Sequence, residues 1–370
     1  VETARILIIG GGIGGLTAAI ALARHGFETE IVERDPNWSV YGVGIIQQSN
    51  VVRAMAQLGL LDDYLGSAFG FDHVAIHPPG GPVIRVPSPR LVPGYPANIG
   101  IGRPALHKLL GERALALGAR IRLGVTVSAF EDDGESVAVH LTDGGFGRYD
   151  IVIGADGVYS TTRAFAFPEA PRPEFTGQGV WRYNFPRPDS IDCLHAYEGR
   201  IGIGLVPLSE TLMYLYVTTP EPENAHYPQD GLAAAMRAKL SDAPPEIAAL
   251  AEQITDNAGV VYRPLDCLLV EGRWRNGRVV LIGDAVHATT PHLGQGAGMA
   301  IEDSIVLAEE IARAPDPETA FQAYRARRFA RCAYIVGASR AICDGQLGRG
   351  ASVDQAKAVR DMFAMTSQPI

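Results

Sequence analysis

Lysine is nearly absent from this chain: Lys108, Lys239 and Lys357 are the only ones in 370 residues. None precedes Lys108, which argues against any chemistry that needs an ammonium group early in the sequence. Cysteine is sparse too. Cys193, Cys267, Cys332 and Cys343 are scattered without CxxC or zinc spacing, so they read as buried free thiols of a reducing compartment rather than as ligands or disulfides. Positive charge is in deficit. A formal net charge of −9 leaves no basic face for nucleic acid. Long apolar runs are missing as well; none reaches the roughly 18 residues that cross a bilayer. The first strand-like run, "ARILIIG", begins at Ala4, with no room in the sequence for a signal peptide ahead of it. These absences point to a cytoplasmic protein without a membrane span.

What the chain does carry is apolar mass. It is 47% hydrophobic and 20% charged, enough for a packed core and against disorder. Its length suits two domains, or one domain with a large insertion. "RILIIG" is a continuous apolar run, as expected of a strand buried on both faces of a parallel sheet. "IGGLTAAIALARHG" reads as a helix stopped by Gly26, and "ETEIVER" as a second strand. The unit spans about 30 residues, the size of a nucleotide-binding crossover. Helix signals return over 49–65. "FDHVAIHPPGGPVIRVP" alternates around a Pro-Gly turn and reads as a hairpin. Pro104 marks the first position of a helix that stops at Gly118. From 174 to 219 strand-like segments follow one another without helices, the pattern of an antiparallel sheet. "RVVLIG" (278–283) resumes the buried-strand style.

Gly10-Gly11-Gly12-Ile13-Gly14-Gly15 matches GxGxxG through Gly10, Gly12 and Gly15, between a strand and a helix as the motif requires. Gly12 lets a pyrophosphate approach backbone N–H groups at an electropositive helix N-terminus. Glu33, at the end of the second strand, is placed to accept both hydroxyls of an adenine ribose and disfavours a 2′-phosphate. This motif alone does not separate NAD from FAD. "IVIGADGVYSTTR" (151–163) holds a second strand end, Asp156-Gly157, which by itself also fits an ordinary Asp cap. "VVLIGDAVHATTPHLGQGAGMAIED" is less generic. Asp284 can accept hydrogen bonds from sugar or ribityl hydroxyls. Gly294, Gly296 and Gly298 leave amides unobstructed at a helix start, where negative charge on a flat ring is stabilised.

GxGxxG, "GADGxxSxxR" and "GDAxHxxxPxxGxG", in that order, resemble the class A flavoprotein monooxygenases, the para-hydroxybenzoate hydroxylase family. The likeness covers roughly 4–345 and is nearest to compact members that hydroxylate urate, quinolones or hydroxynicotinate. It implies an α/β fold: a Rossmann-like FAD-binding domain with an inserted antiparallel-sheet substrate domain. The FAD domain takes 1–71, 98–173 and 264–345, the insert 72–97 and 174–263. Residues 346–370 form a C-terminal helix or tail with no clear role. The resemblance implies that Gly10, Gly12, Gly15, Glu33 and Arg34 hold the ADP half of FAD. It puts Arg103 near the pyrophosphate and ribityl chain, Asp156 in a DG element touching FAD, and Asp284 on the ribityl chain. Gly296, Ala297 and Gly298 would meet the flavin pyrimidine edge, and Pro291 its reactive face. The implied reaction uses NADH or NADPH as co-substrate and O2. It passes through a flavin C4a-hydroperoxide to a small aromatic substrate, in a monomer or homodimer.

On the substrate side, Tyr214 and Tyr216 in "LMYLYV" share a strand face and either reach the ring pocket or pack in the sheet. In "VWRYNFP" (180–186), Trp181 and Tyr183 share one face and Arg182 takes the other, as an anchor for an anionic substrate or as a surface residue. His287 has the look of a general base, but the motif makes it structural; His73, His195 and His292 are weaker candidates. A same-fold reductase without oxygen insertion remains an alternative, as does a redox-inactive FAD-binding protein. A flavin-dependent halogenase fits less well, since "WRYNFP" departs from WxWxIP and the early lysine is missing.

Overall fold

The computed structural model describes residues 4–223 and 225–370; the start of the expected segment 1–71 and position 224 of the expected insert lie outside them. Two large sheets dominate. The first has six strands in the order Arg275–Asn276, Val279–Leu281, Ile151–Gly154, Arg5–Ile9, Glu28–Glu33, Arg120–Leu123. All its pairings are parallel except that of the short edge strand Arg275–Asn276. Its central strand is apolar without alternation because both faces are covered. Ile6 and Ile8 join one cluster with helix Ile13–Arg24, while Leu7 and Ile9 join another with the small sheet formed by Val127–Asp132, Val137–Leu141 and Phe146–Tyr149.

The second sheet has seven strands, Val261–Cys267, Glu174–Pro186, Leu212–Pro220, Gly202–Pro207, Leu194–Tyr197, His73–His77 and Ile84–Pro87. It is antiparallel with one exception: Leu194–Tyr197 runs parallel to His73–His77, because the hairpin 73–87 reaches the sheet from a distant part of the chain. The expected boundary at 264 falls inside a strand, since pairing continues to Glu174 opposite Cys267. Side chains alternate across this sheet. Trp181, Phe185, Met213, Leu215 and Val217 pack beneath helices Leu232–Lys239 and Pro245–Ala251. Arg182, Tyr214 and Tyr216 have the opposite parity.

Smaller departures follow from local chemistry. Pro104 is the second residue of helix Arg103–Ala116, still within the first turn where a missing N–H costs nothing. The C-terminal segment forms an ordered helix, Gln355–Ser367. Its last carbonyls, at Thr366 and Ser367, accept from Arg53, and those of Gln368 and Pro369 just beyond accept from Arg331, guanidinium groups set at the negative end of the helix. All four cysteines are free, and Cys267 is only half-buried. No helix among the described residues is long and apolar enough to cross a membrane.

A buried polar hub joins these parts. Asp303, on the 18-residue helix Gly296–Arg313, accepts from the Gly283 amide at 2.9 Å, from His287, and from Arg328 Nε at 2.8 Å. Neighbouring Glu302 accepts from Arg328, Arg331 and Asn50. Burial alone would raise the Asp303 carboxyl, but His287 and Arg328 outweigh it and hold it well below the usual range. Burial opposes the His287 imidazolium; Asp303 outweighs that and holds it well above its ordinary value. Removing one partner strands buried charge. Asp303→Asn is expected to cost roughly 3–5 kcal/mol in denaturant unfolding. Because its folded pKa is depressed, the stability from Asp303 is present above the ordinary carboxylate value of about 4 and fades as pH falls below it. The wild type should lose stability steeply there, and the variant should show a flatter acid limb.

Candidate active site

Strand Arg5–Ile9 ends on a glycine turn whose three motif glycines do different work. Gly10 has φ +109°, and a Cβ on it would lie 2.4 Å from the Ala155 carbonyl oxygen. A Cβ on Gly15 would lie 1.9 Å from the Gly10 carbonyl oxygen, so Gly15 is where the helix touches the strand end. At Gly12 a Cβ would meet nothing within 4 Å, and the residue lines a cavity of about 550 Å³. Gly12 is also the N-cap of helix Ile13–Arg24, so the helix presents its unpaired amides there.

Glu33 reaches the same end of the cavity. Its two carboxylate oxygens accept the Gly11 and Asp35 amides, each at 2.8 Å, and each retains acceptor capacity for an outside donor. Trp38 donates its indole N–H to the Gly11 carbonyl at 2.8 Å, and His107 Nε2 lies 3.0 Å from that oxygen. The two rings meet edge-on, 4.7 Å between centroids. Trp38 is the one non-glycine residue with positive φ among the described residues, at 49°, a conformation worth noticing for a bulky side chain. It carries the segment 38–41 along the cavity wall.

Midway, Asp284 opens helix Asp284–His287 directly after Gly283, whose φ is +60°. Its side chain is exposed to the cavity although protein surrounds it. Burial raises its carboxyl pKa, against the pull of His287 and Arg103. Arg103 faces it; its Nε has no hydrogen-bond partner among the described residues, and burial lowers the guanidinium pKa while Tyr214 and Asp284 oppose that. Gly296 and Ala297 bring the start of helix Gly296–Arg313 to the cavity.

The far end is built by the second sheet. Tyr214, Tyr216 and Arg182 line it with Val74, Ile76 and Leu194, opposite Pro291 and His292. Burial, then Arg103, pushes the Arg182 guanidinium down to about 10; no carboxylate is among its main influences. It stays charged at neutral pH. Burial raises the Tyr214 hydroxyl despite Arg182 and Arg103 nearby, so it is a neutral hydrogen-bonding group. His292 is driven by burial to about 4 and is neutral.

Of the residues singled out by sequence, Gly12, Glu33, Arg103, Asp284, Gly296, Ala297, Pro291, Arg182 and Tyr214 share this cavity. Others do not line it. Gly10 and Gly15 shape the turn behind it. Asp156 turns away: its carboxylate accepts from Ser160, Thr161 and Thr162 at the start of helix Thr161–Ala166. The N-cap of that helix is Ser160, which accepts from the Arg163 amide at 2.9 Å, and Asp156 supports it while accepting from the Thr162 amide at 3.0 Å; Ala155 and Gly157 reach the cavity instead. Gly298 sits against Gln295 and Val51, where a Cβ would come within 2.9 Å of both. Arg34, beside Glu33, is also outside the lining. Arg163 is buried and donates to the Ala285 carbonyl at 2.8 Å, tying the second motif to the third. His287 belongs to the Asp303 hub rather than to the cavity. Missed by sequence were Trp38, His107, Gln355 and Val359. None lies in a motif, and only the packing of distant segments brings them in.

A family pattern described as "FAD binding domain" matches residues 3–339. Aurachin C monooxygenase/isomerase of Stigmatella aurantiaca is 31% identical over 93% of this chain and 89% of that protein. The 2-heptyl-3-hydroxy-4(1H)-quinolone synthase of Pseudomonas aeruginosa is 30% identical over 89% and 86%. The crystal structure of Klebsiella pneumoniae HpxO complexed with FAD and uric acid superposes with a TM-score of 0.85 at 25% identity, covering 99% of this chain and 97% of that one.

The glycine geometry makes a paired prediction. Gly12→Val should leave the melting temperature close to wild type and weaken FAD retention by at least about tenfold, roughly 1.4 kcal/mol. Gly15→Ala should instead reduce soluble folded protein, since its Cβ collides with backbone. Fluorescence titration with FAD and thermal unfolding separate the two effects.

Proposed function

The chain belongs to the FAD-dependent monooxygenases and is an FAD-dependent aromatic hydroxylase; from that premise we propose that it hydroxylates a small phenol-like aromatic or N-heteroaromatic ring using NADH or NADPH and O2. One observation carries the proposal. A single cavity runs from Gly12 and Glu33, past Asp284 and the Gly296 helix start, to a pair of half-buried arginines, Arg103 and Arg182, beside Tyr214 and Tyr216.

The residues fit FAD on their own chemistry. Gly12 has open space where a side chain would stand, Glu33 keeps acceptor capacity, and the buried Arg103 Nε has no partner among the described residues. Glu33 would hold the adenine ribose, the Gly12 helix start the pyrophosphate, Asp284 the ribityl chain, and the Gly296–Ala297 amides the pyrimidine edge. When bound, FAD supplies hydride acceptance from the nicotinamide and activation of O2.

The protein's own work is positional and electrostatic. Arg182 and Arg103 place positive charge beside the ring pocket without a neutralising carboxylate at Arg182. That field lowers the pKa of a bound phenol or ring N–H, and the anion is the more electron-rich ring. Tyr214, kept protonated, donates to that oxygen. Val74, Ile76 and Leu194 exclude water from the reacting atoms and orient the flat ring. Pro291 closes the pocket with backbone that cannot swing freely.

A screen of phenols, aromatic acids and N-heteroaromatics tests this reading. At least one compound should accelerate NAD(P)H oxidation and return with one added oxygen. Acceleration without any oxygenated product would favour the reductase alternative, and a protein that takes up no FAD would end the reading. Arg182→Gln should raise KM for the active ring by about ten- to a hundredfold, or roughly 1.4–2.7 kcal/mol. Its rate profile should also move to higher pH, because less positive charge leaves the bound phenol harder to ionise. Tyr214→Phe should increase hydrogen peroxide released per NAD(P)H consumed.

A further inference from the structure

A second cavity, of about 380 Å³, adjoins the first. Both are bounded by Ala196, Tyr216, Pro291, His292 and Gln355, so these residues form a partition between two chambers. The partition is partly rigid. His292 lies 2.9 Å from Thr290 Oγ1 and 3.1 Å from Gln346 Oε1. Gln346 Oε1 also accepts from Gln178 at 2.9 Å and from Thr218 at 3.2 Å. Gln355 is held differently. Its backbone amide donates to Glu198 at 3.2 Å, while its side-chain amide makes no hydrogen bond among the described residues.

The two chambers differ in chemistry. The ring end of the inner one has Val74, Ile76 and Leu194 as aliphatic walls and half-buried cationic arginines. The outer one mixes Ile203, Ile342 and Val353 with Gln346, Ser352, Glu198 and Arg200: an apolar share beside hydrogen-bonding groups, one acid and one base. Its outer wall is the segment from Gln346 to Gln355, which lies past residue 339, where the match to the family pattern ends. The FAD-binding pattern therefore does not prescribe this wall.

Resting on the hydroxylase reading above, we propose that the outer chamber is a substrate subsite. The reacting ring lies in the inner chamber, and an uncharged, hydrogen-bonding side chain of the same molecule, such as an amide, passes between Tyr216 and Gln355 into the outer one. The substrate class is thus a hydroxylated aromatic ring bearing a polar extension, rather than a bare ring or an alkyl-substituted one. A polar extension exchanges water for the Gln355 amide and the Ser352 hydroxyl at little net cost, whereas an alkyl chain would bury those groups without partners.

Three ligands sharing one ring test this on the FAD-loaded protein: meta-hydroxybenzamide, its N-carbamoylmethyl derivative and its N-isobutyl derivative, which matches the second in size. Perturbation of the flavin spectrum reads the dissociation constants. The carbamoylmethyl compound should bind at least about tenfold tighter than either of the others. Ser352→Trp, on the exposed outer wall, should bring its ratio to the unsubstituted ring to within about twofold of unity. Val353→Trp is a second plug on the same segment, and the ratio within one preparation removes any general loss of folding. Equal binding of all three, preference for the isobutyl compound, or a plug that leaves the ratio intact would each overturn the proposal. A plug that only slows association makes the chamber a passage, which also overturns it. If no ring of any kind binds the wild type or stimulates NAD(P)H oxidation, the hydroxylase reading fails first and takes the subsite with it.

Discussion

The Asp303 carboxylate holds together the parts that the site needs. It is fully buried and accepts from Gly283, His287 and Arg328 at once. A buried carboxylate tolerates this only with its charge balanced and its lone pairs occupied. The result is a turn fixed in space: Gly283 at positive φ, Asp284 delivered to the cavity, His287 locked behind it. The helix that carries Asp303 also packs on the first helix. Ser304 Oγ donates to the Gly14 carbonyl at 3.0 Å, and a Cβ on Gly14 would sit 3.4 Å from that of Ala300. The phosphate-type turn at one end of the cavity and the helix start in its middle are therefore set by a common rigid contact.

The far end of the cavity depends on a simpler rule. In the seven-stranded sheet, odd and even positions separate what is packed from what is presented. Trp181 and Leu215 are buried under two helices, and Arg182, Tyr214 and Tyr216 face the cavity. A shift of one residue in register would exchange these sets. The continuous pairing of Glu174–Pro186 with Leu212–Pro220 from Gln178 to Pro186 prevents it. Cavity-lining groups and core are thus secured by the same ladder of backbone hydrogen bonds.

Legibility in the sequence tracked the range of the interactions involved. Gly10, Gly12 and Gly15 could be read because strand, turn and helix are contiguous. The opposite faces of Trp181 and Arg182 could be read because alternation is local. The side chain of Asp156 could not be resolved, since capping Thr162 and facing a ligand require the same residue at the same strand end. Trp38 and His107 meet across 69 positions of sequence, and Gln355 meets the cavity from a helix with no motif. No periodicity encodes such contacts.

By itself the sequence determined the family of fold, the glycine turn between the first strand and helix, and the parity that points Arg182 and Tyr214 one way. Those features follow from steric limits on glycine, from apolar runs and from the two-residue period of a strand, all of which act between neighbours. Only the tertiary structure decided that Asp303 carries Gly283 and His287, that Asp156 braces a helix start capped by Ser160, and that the C-terminal segment walls a second chamber. These depend on which buried charges find partners and which segments close over a cavity, and that is settled when remote parts of the chain pack against one another.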